Sequence, residues 1–249
     1  MASDALPAEV SAAIARIASP TESAVELPPG ELARLEAWWR AVGDGQAPRV
    51  AWVTASPDAR DSPSALSAGL AAADAVIDAG ATLIVPAVPE PDAVAARTVI
   101  AVLSRASASA VTYQSPGMTD AAWMTLCAQI RDRAADVSAL RASPLALLDA
   151  LGAGAIAYAA GVLLGSAARR TPCLVDGTDA LAGALIADRL SFRAREWWRA
   201  AATSPDPGRQ VAADRIDLAP GVPLGLVVED GSGARATVAL LGMIAEDAS

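Results

Sequence analysis

Apolar and polar positions along the chain fall into short blocks whose period changes repeatedly. Residues 7–18 carry apolar side chains at helical spacing, with Pro7 at a position where a helix start tolerates proline. Leu27-Pro-Pro-Gly30 leads into a second helical segment in which Leu32, Leu35, Trp38 and Trp39 share one face. That face reads as core or interface rather than as a ligand cage. Val50–Thr54 is an apolar strand, and residues 56–63, with two prolines and three charges, form an exposed loop. An alanine-rich helix over 64–79 is closed by Gly80, followed by a strand over 81–85, a turn over 86–91 and a helix from Asp92 to about Ser104. A short strand is expected over 108–113. Next comes a long helix over 119–140, with Met124, Cys127 and Ile130 facing inward.

The stretch 145–190 organises the rest: an apolar helix, a basic stop, a short strand and a second helix. No charge occurs from Leu151 to Ala168, and Ala157, Gly161 and Gly165 recur every four residues, which lines small residues along one helical face. Arg169 and Arg170 end the run as cations at the negative end of a helix should. Eighteen uncharged residues meet the crude criterion for a membrane span, but four glycines and many alanines make the segment only weakly apolar. It reads as a buried helix. Pro172–Val175 forms a strand ending at Asp176-Gly177, after which Thr178 or Asp179 can cap the next helix. Residues 194–202 fit helix or strand, and Ser204–Arg209 turns into a helix ending near Ile216. A strand over 224–228, a turn over 229–233 and a closing helix over 234–244 follow.

Strands alternating with helices predict an α/β protein: three layers, a mostly parallel sheet with helices on both faces, Rossmann-like. Residues 46–249 form that domain and residues 1–45 a small helical appendage. Ligands of such sheets lie at the carboxyl ends of strands, which selects the turns 86–92, 176–178, 204–209 and 229–233.

Composition narrows the chemistry. The chain has 249 residues and a net charge of −9, which argues against nucleic acid or an anionic membrane as partner. Two distant cysteines and an N-terminus without a signal pattern fit the cytoplasm. There is no His and no Lys; all 19 basic residues are Arg. Catalysis through imidazole, a P-loop lysine or pyridoxal phosphate is thereby excluded, and no metal or cofactor is expected. Proton transfer falls to Asp, Glu, Tyr113, Tyr158 or a thiol. Glu229-Asp230 is an acid pair on a strand-to-helix turn, readable as solvated turn acids or as a carboxylate base. Gly231-Ser232-Gly233 fits a relaxed dinucleotide fingerprint, but no second strand with its acid follows, which leaves a phosphate site or a simple turn. Arg189, Arg193, Arg195 and Arg199 read as a solvated face, with anion binding as the minor alternative.

The order of these turns resembles the nicotinate-nucleotide:dimethylbenzimidazole phosphoribosyltransferases. The resemblance rests on Pro28-Pro-Gly-Glu-Leu-Ala-Arg-Leu-Glu36, the small-residue helix 155–170 and Leu174-Val-Asp176-Gly177. It continues through Ser204-Pro-Asp206-Pro-Gly208-Arg209 and Asp230-Gly-Ser-Gly-Ala234. It implies transfer of phosphoribose from nicotinate mononucleotide to a benzimidazole-type base in cobalamin lower-ligand synthesis. Asp230 would be the base, with Glu229 or Glu90 as electrostatic helper. Asp176, Gly177, Thr178, Ser204, Asp206, Gly208, Gly231, Ser232 and Gly233 would bind substrate. A homodimer, or a heterodimer with a paralogue, is the assembly it implies. The segment AVPEPDAVA over 87–95 stands where the family has a glycine-rich loop, and Arg209 stands where it has a histidine. The alternative is therefore a catalytically degenerate member acting as a partner or scaffold.

Overall fold

The computed structural model describes residues 5–20, 30–43, 46–54, 61–87, 93–226 and 231–247. Its sheet runs β1 (Val50–Thr54), β2 (Leu83–Ala87), β3 (Cys173–Val175), β4 (Trp198–Ala202) and β5 (Pro220–Val222) in sequence order, and every pairing is parallel. The helices are α1 (Ala8–Arg16), α2 (Glu31–Val42), α3 (Ser62–Asp78), α4 (Ala93–Ser104), α5 (Asp120–Val137), α6 (Pro144–Leu151), α7 (Gly154–Ala168), α8 (Thr178–Leu190), α9 (Pro207–Arg215) and α10 (Ser232–Asp247).

Sequential strand order has a direct consequence. Right-handed crossovers in a parallel sheet that never reverses all fall on one face. The connecting helices therefore cover one side, and the other is left to α2 and α10, which precede β1 and follow β5. Side-chain alternation records this residue by residue. Val53, Ile84, Cys173, Val175, Trp198 and Ala200 enter the large core with the connecting helices. Leu83, Val85, Leu174, Ala201 and Val222 meet Leu35 and Trp39 of α2 and Ala234 and Leu241 of α10. The three-layer arrangement expected from the sequence is present, with a thick layer and a thin one. Of the two N-terminal helices, α1 joins the thick side through Val10 and Ala13, and α2 the thin side.

The small-residue stripe on α7 explains itself against α3. A Cβ on Gly161 would overlap the Leu66 carbonyl oxygen, and one on Gly69 would overlap that of Tyr158. Arg169, at the end of α7, pairs with Asp74 at 2.9 Å and Asp78 at 2.6 Å on α3 and so fixes the crossing. Among the described residues no helix is long and apolar enough to cross a membrane.

Several expectations are corrected. Residues 108–113 contain no strand but a 3-10 turn at Ser109–Val111. Side chains occupy the backbone groups a neighbouring strand would need: Arg97 donates to the Val111 carbonyl at 2.6 Å and Trp123 to the Thr112 carbonyl at 3.1 Å. The apolar helix entering the 145–190 stretch breaks at Gly152, which adopts φ 64° and separates α6 from α7. Met124 is 63% exposed, because α5 buries only Ile130 and Val137. Neither Thr178 nor Asp179 caps α8; Gly177 does, with φ 95° and no side-chain hydrogen bond. The last strand lies at 220–222 rather than 224–228, and residues 227–228 are outside the described set. Arg199 does not belong to a solvated face: it sits on β4, buried on the thin side, where its Nε donates to the Pro220 carbonyl and its Cζ lies 5.7 Å from the Trp38 ring. Burial lowers its pKa, partly offset by Glu31.

Candidate functional site

Three helices, α8, α9 and α10, start where β3, β4 and β5 end, and the way each start is capped defines the site. Asp176 directly follows β3. Its Oδ2 accepts from the Ala234 backbone N–H at 2.9 Å, so a carboxylate from the centre of the sheet caps α10 from a distance. Its Oδ1 lies 3.7 Å from Arg209 Nη1, and both side chains are more than nine-tenths buried. Gly233 fits closely there: a Cβ would stand 3.0 Å from Asp176 Oδ2 and 3.2 Å from the Ala202 Cβ. Gly231 has φ 75°, and a Cβ on it would come within 3.0 Å of the Trp52 ring.

The start of α9 is closed by its own acid. Asp206 Oδ1 accepts from Gly208 N–H at 2.8 Å, while Arg97 of α4 grips both carboxylate oxygens at 3.0 and 2.7 Å. This bidentate pair is buried on both sides. Ser204 Oγ accepts from Asp206 N–H at 3.2 Å, and its carbonyl accepts from Gln210 at 2.8 Å. A Cβ on Gly208 would meet the Val111 carbonyl at 2.5 Å and Arg97 Nη1 at 2.9 Å. Asp206 and Gly208 thus hold α9 onto α4 rather than facing open space. By contrast, the N-cap of α8 is Gly177, which has no side chain of its own to offer.

A cleft of about 170 Å³ opens between α8, α9 and the ends of β3 and β4, lined by Asp176, Gly177, Ser204, Arg209 and Gln210 among others. That is below the ~300–1,000 Å³ usual for small-molecule pockets, room for one phosphorylated sugar fragment rather than two substrates. The structure brings Asp176, Gly177 and Ser204 together, and Asp176 ties in the helix start formed by Ser232 and Gly233. Asp230, Glu229 and Glu90 lie outside the described residues, as do Pro28 and Pro29 of the early motif. Among the described residues no group of three His, Cys, Asp or Glu side chains could hold a metal ion.

Sequence reasoning overlooked Arg97 and Arg209. Arg97 had a signal: a charge inside the apolar run Val94-Ala-Ala-Arg-Thr-Val-Ile100 demands a buried partner. Arg209 had only its place beside the Asp206-Pro-Gly turn.

A family model described as phosphoribosyltransferase (DBI_PRT) matches residues 58–246, which contain every turn just described. The chain belongs to this phosphoribosyltransferase family. It is 39% identical over 173 residues to a nicotinate-nucleotide–dimethylbenzimidazole phosphoribosyltransferase of Streptomyces avermitilis, covering 69% of this chain and 46% of that one. The enzyme of the same name from Mycobacterium ulcerans is 37% identical over 178 residues, covering 71% and 49%. Among solved structures, CobT from Thermus thermophilus superposes with a TM-score of 0.68 at 26% identity, covering 74% of this chain and 56% of that one. The chain spans about half the length of the curated phosphoribosyltransferases it matches.

Proposed function

We propose that the chain transfers phosphoribose from nicotinate mononucleotide to a benzimidazole-type base, as in synthesis of the cobalamin lower-ligand nucleotide. One observation carries the reading beyond family membership: the Asp176 bridge, which joins Leu174-Val-Asp176-Gly177 to the start of α10 beside Arg209. Three of the sequence motifs are thereby gathered at the carboxyl end of the sheet.

The chemistry follows from the charges. Side-chain carboxylates cap α9 and α10, and we assign the phosphate to the start of α8, where Gly177 lines the cleft with the Arg209 cation alongside. In the reaction the C1′–N bond of nicotinate mononucleotide breaks and its electron pair returns to the ring nitrogen, which leaves as an uncharged pyridine. The pyridine-like nitrogen of the benzimidazole forms the new bond to C1′, and the proton on the other ring nitrogen passes to Asp230, one residue before Gly231. Glu229 and Glu90 are assigned to stabilising the positive charge that builds on the ribose. In this reading Ser204 and Gly208 shape the cleft, and Asp206 positions α9.

The test is incubation with nicotinate mononucleotide and a panel of benzimidazoles, with product identified by mass. Asp230→Asn should lower turnover by about 10² or more while circular dichroism stays native. Unchanged turnover removes Asp230 from the mechanism. Saturable nucleotide binding without product from any base would make the chain a degenerate member that serves as partner or scaffold. We further propose that it works in the cytoplasm, as a homodimer or with a paralogue, which light scattering of the purified chain would show; both described cysteines are free thiols, in keeping with a reducing compartment.

A further inference from the structure

At the end of the sheet opposite the candidate site, α8 ends and the chain passes through a 3-10 segment, Phe192–Trp197, into β4. A groove of about 660 Å³ lies there, within the size range of small-molecule sites. Its lining has two characters. Ile14, Ile17 and Pro144 give it an apolar wall, and Arg189, Arg193 and Arg215 face the single acid Asp188. Three cations against one anion stand out in a chain whose net charge is −9.

These groups keep most of their binding capacity for a ligand. All three arginines are exposed. Arg189 gives one donor to the Arg141 carbonyl at 3.1 Å, and Arg215 makes no hydrogen bond or ion pair with the described residues. Phe192 is 63% exposed at the rim, with the Arg193 guanidinium carbon 5.8 Å from its ring centre. Asp188 Oδ1 is buried, receives no hydrogen bond and stands 3.7 Å from Arg195 Nη1. Burial raises the Asp188 pKa despite the opposing pull of Arg195, Arg215 and Arg189.

We propose that this groove binds a nucleoside polyphosphate. The phosphates lie against Arg189, Arg193 and Arg215, and the base stacks over Phe192 along the apolar wall. A purely inorganic anion would leave the apolar wall and Phe192 unused, and a neutral aromatic would leave the three cations unmatched. The site is independent of the transferase reading. It lies at the far end of α8 from Gly177, thirteen residues or about 20 Å away.

The experiment is calorimetric titration of the full chain at low salt with ATP, inorganic tripolyphosphate and adenosine as probes. ATP should bind saturably at one site, and the two partial probes should each bind at least about tenfold more weakly. The exposed double variant Arg193→Ala/Arg215→Ala should weaken ATP by at least about tenfold with an unchanged far-ultraviolet spectrum. Arg40→Ala, on the exposed side of α2, should bind like the parent chain. Three results would each overturn the assignment: no saturable binding of ATP below about 1 mM, tripolyphosphate binding as tightly as ATP, or full ATP affinity in the double variant. The last of these also covers ATP lodging in the cleft at Asp176 instead.

Discussion

On one side of the sheet, α3, α7 and α8 meet through glycine and alanine, so that helix backbones touch; on the other, α2 and α10 meet the strands through Leu35, Trp39 and Leu241. The first contact has no slack. Gly161 and Gly69 face carbonyl oxygens across the α3–α7 crossing, and Gly183 of α8 would place a Cβ 2.8 Å from that of Ala159 on α7. The second is close at Gly221 of β5, where a Cβ would stand 2.9 Å from Thr237 of α10, but open at Gly242 of α10, where a Cβ meets nothing within 4 Å. Glycine is thus enforced by helix backbones at the α3–α7 crossing, while on α10 the constraint falls at Gly233 and not at Gly242. The candidate site lies where the layers join, because Asp176, between β3 and α8, holds the start of α10.

The largest expected effect tests the tight layer directly. Gly161→Val would drive two methyl groups into the Leu66 carbonyl region, where backbone rather than a flexible side chain would have to yield. A loss of more than about 4 kcal/mol in denaturant unfolding is expected, enough to leave little folded protein. A loss below about 1 kcal/mol would mean that the two helices are not in backbone contact.

Next in size is the buried pair that locks α9 beside the cleft. Arg97→Met fills much of the same space but strands the Asp206 carboxylate at 4% side-chain exposure. Breaking one half of such a pair costs about 3–5 kcal/mol. The unfolding midpoint in urea should fall accordingly, while Arg40→Met, whose partner Glu36 is exposed, should change it by less than about 1 kcal/mol.

How much of this was readable beforehand depends on whether the determining contact is local. Helix and strand periods located α3, α4, α8 and β1, since their apolar spacing reports their own burial. The Gly177 and Gly231–Gly233 turns were also legible, because positive φ and tight approach select glycine locally. The missing strand at 108–113 was not, since its backbone is taken by Arg97 and Trp123 from other helices. Nor was the role of Asp176, whose two partners lie 33 and 58 residues further along the chain. Met124 failed for a related reason: helical spacing says which residues share a face, not whether anything covers it.

A pH series gives the third test, again on the thick side. Cys173 on β3 is wholly buried, donates to Ser166 Oγ of α7 at 2.9 Å, and has its thiol pKa pushed from 9.0 up to about 12 by burial. The protonated thiol is therefore favoured in the folded chain. Its contribution is complete below pH 9 and is lost as pH rises from 9 towards 12, because the unfolded thiol ionises first. Stability should drop by about 1.4 kcal/mol per pH unit in that window. Tyr158, also raised by burial, adds to the fall above pH 10. Cys173→Ala should flatten the curve between pH 9 and 10; an unaltered slope would assign the loss to other groups. In the native chain at neutral pH, a thiol reagent should label the half-buried Cys127 and leave Cys173 untouched.

The smallest effect is the mirror of the largest. Gly242 lies inside α10, where its backbone is helical and the space around a new methyl group is open. Glycine at a helix interior is about 0.5–1 kcal/mol less favourable than alanine, because the unfolded chain has more freedom to lose. Gly242→Ala should therefore stabilise the chain by that amount, raising the unfolding midpoint while leaving ligand binding at the cleft unchanged, since the change lies about two and a half turns from Gly233. Destabilisation would show that this face of α10 is covered in solution. The thin layer would then be as tightly packed as the thick one, and the contrast between the two faces of the sheet would fail.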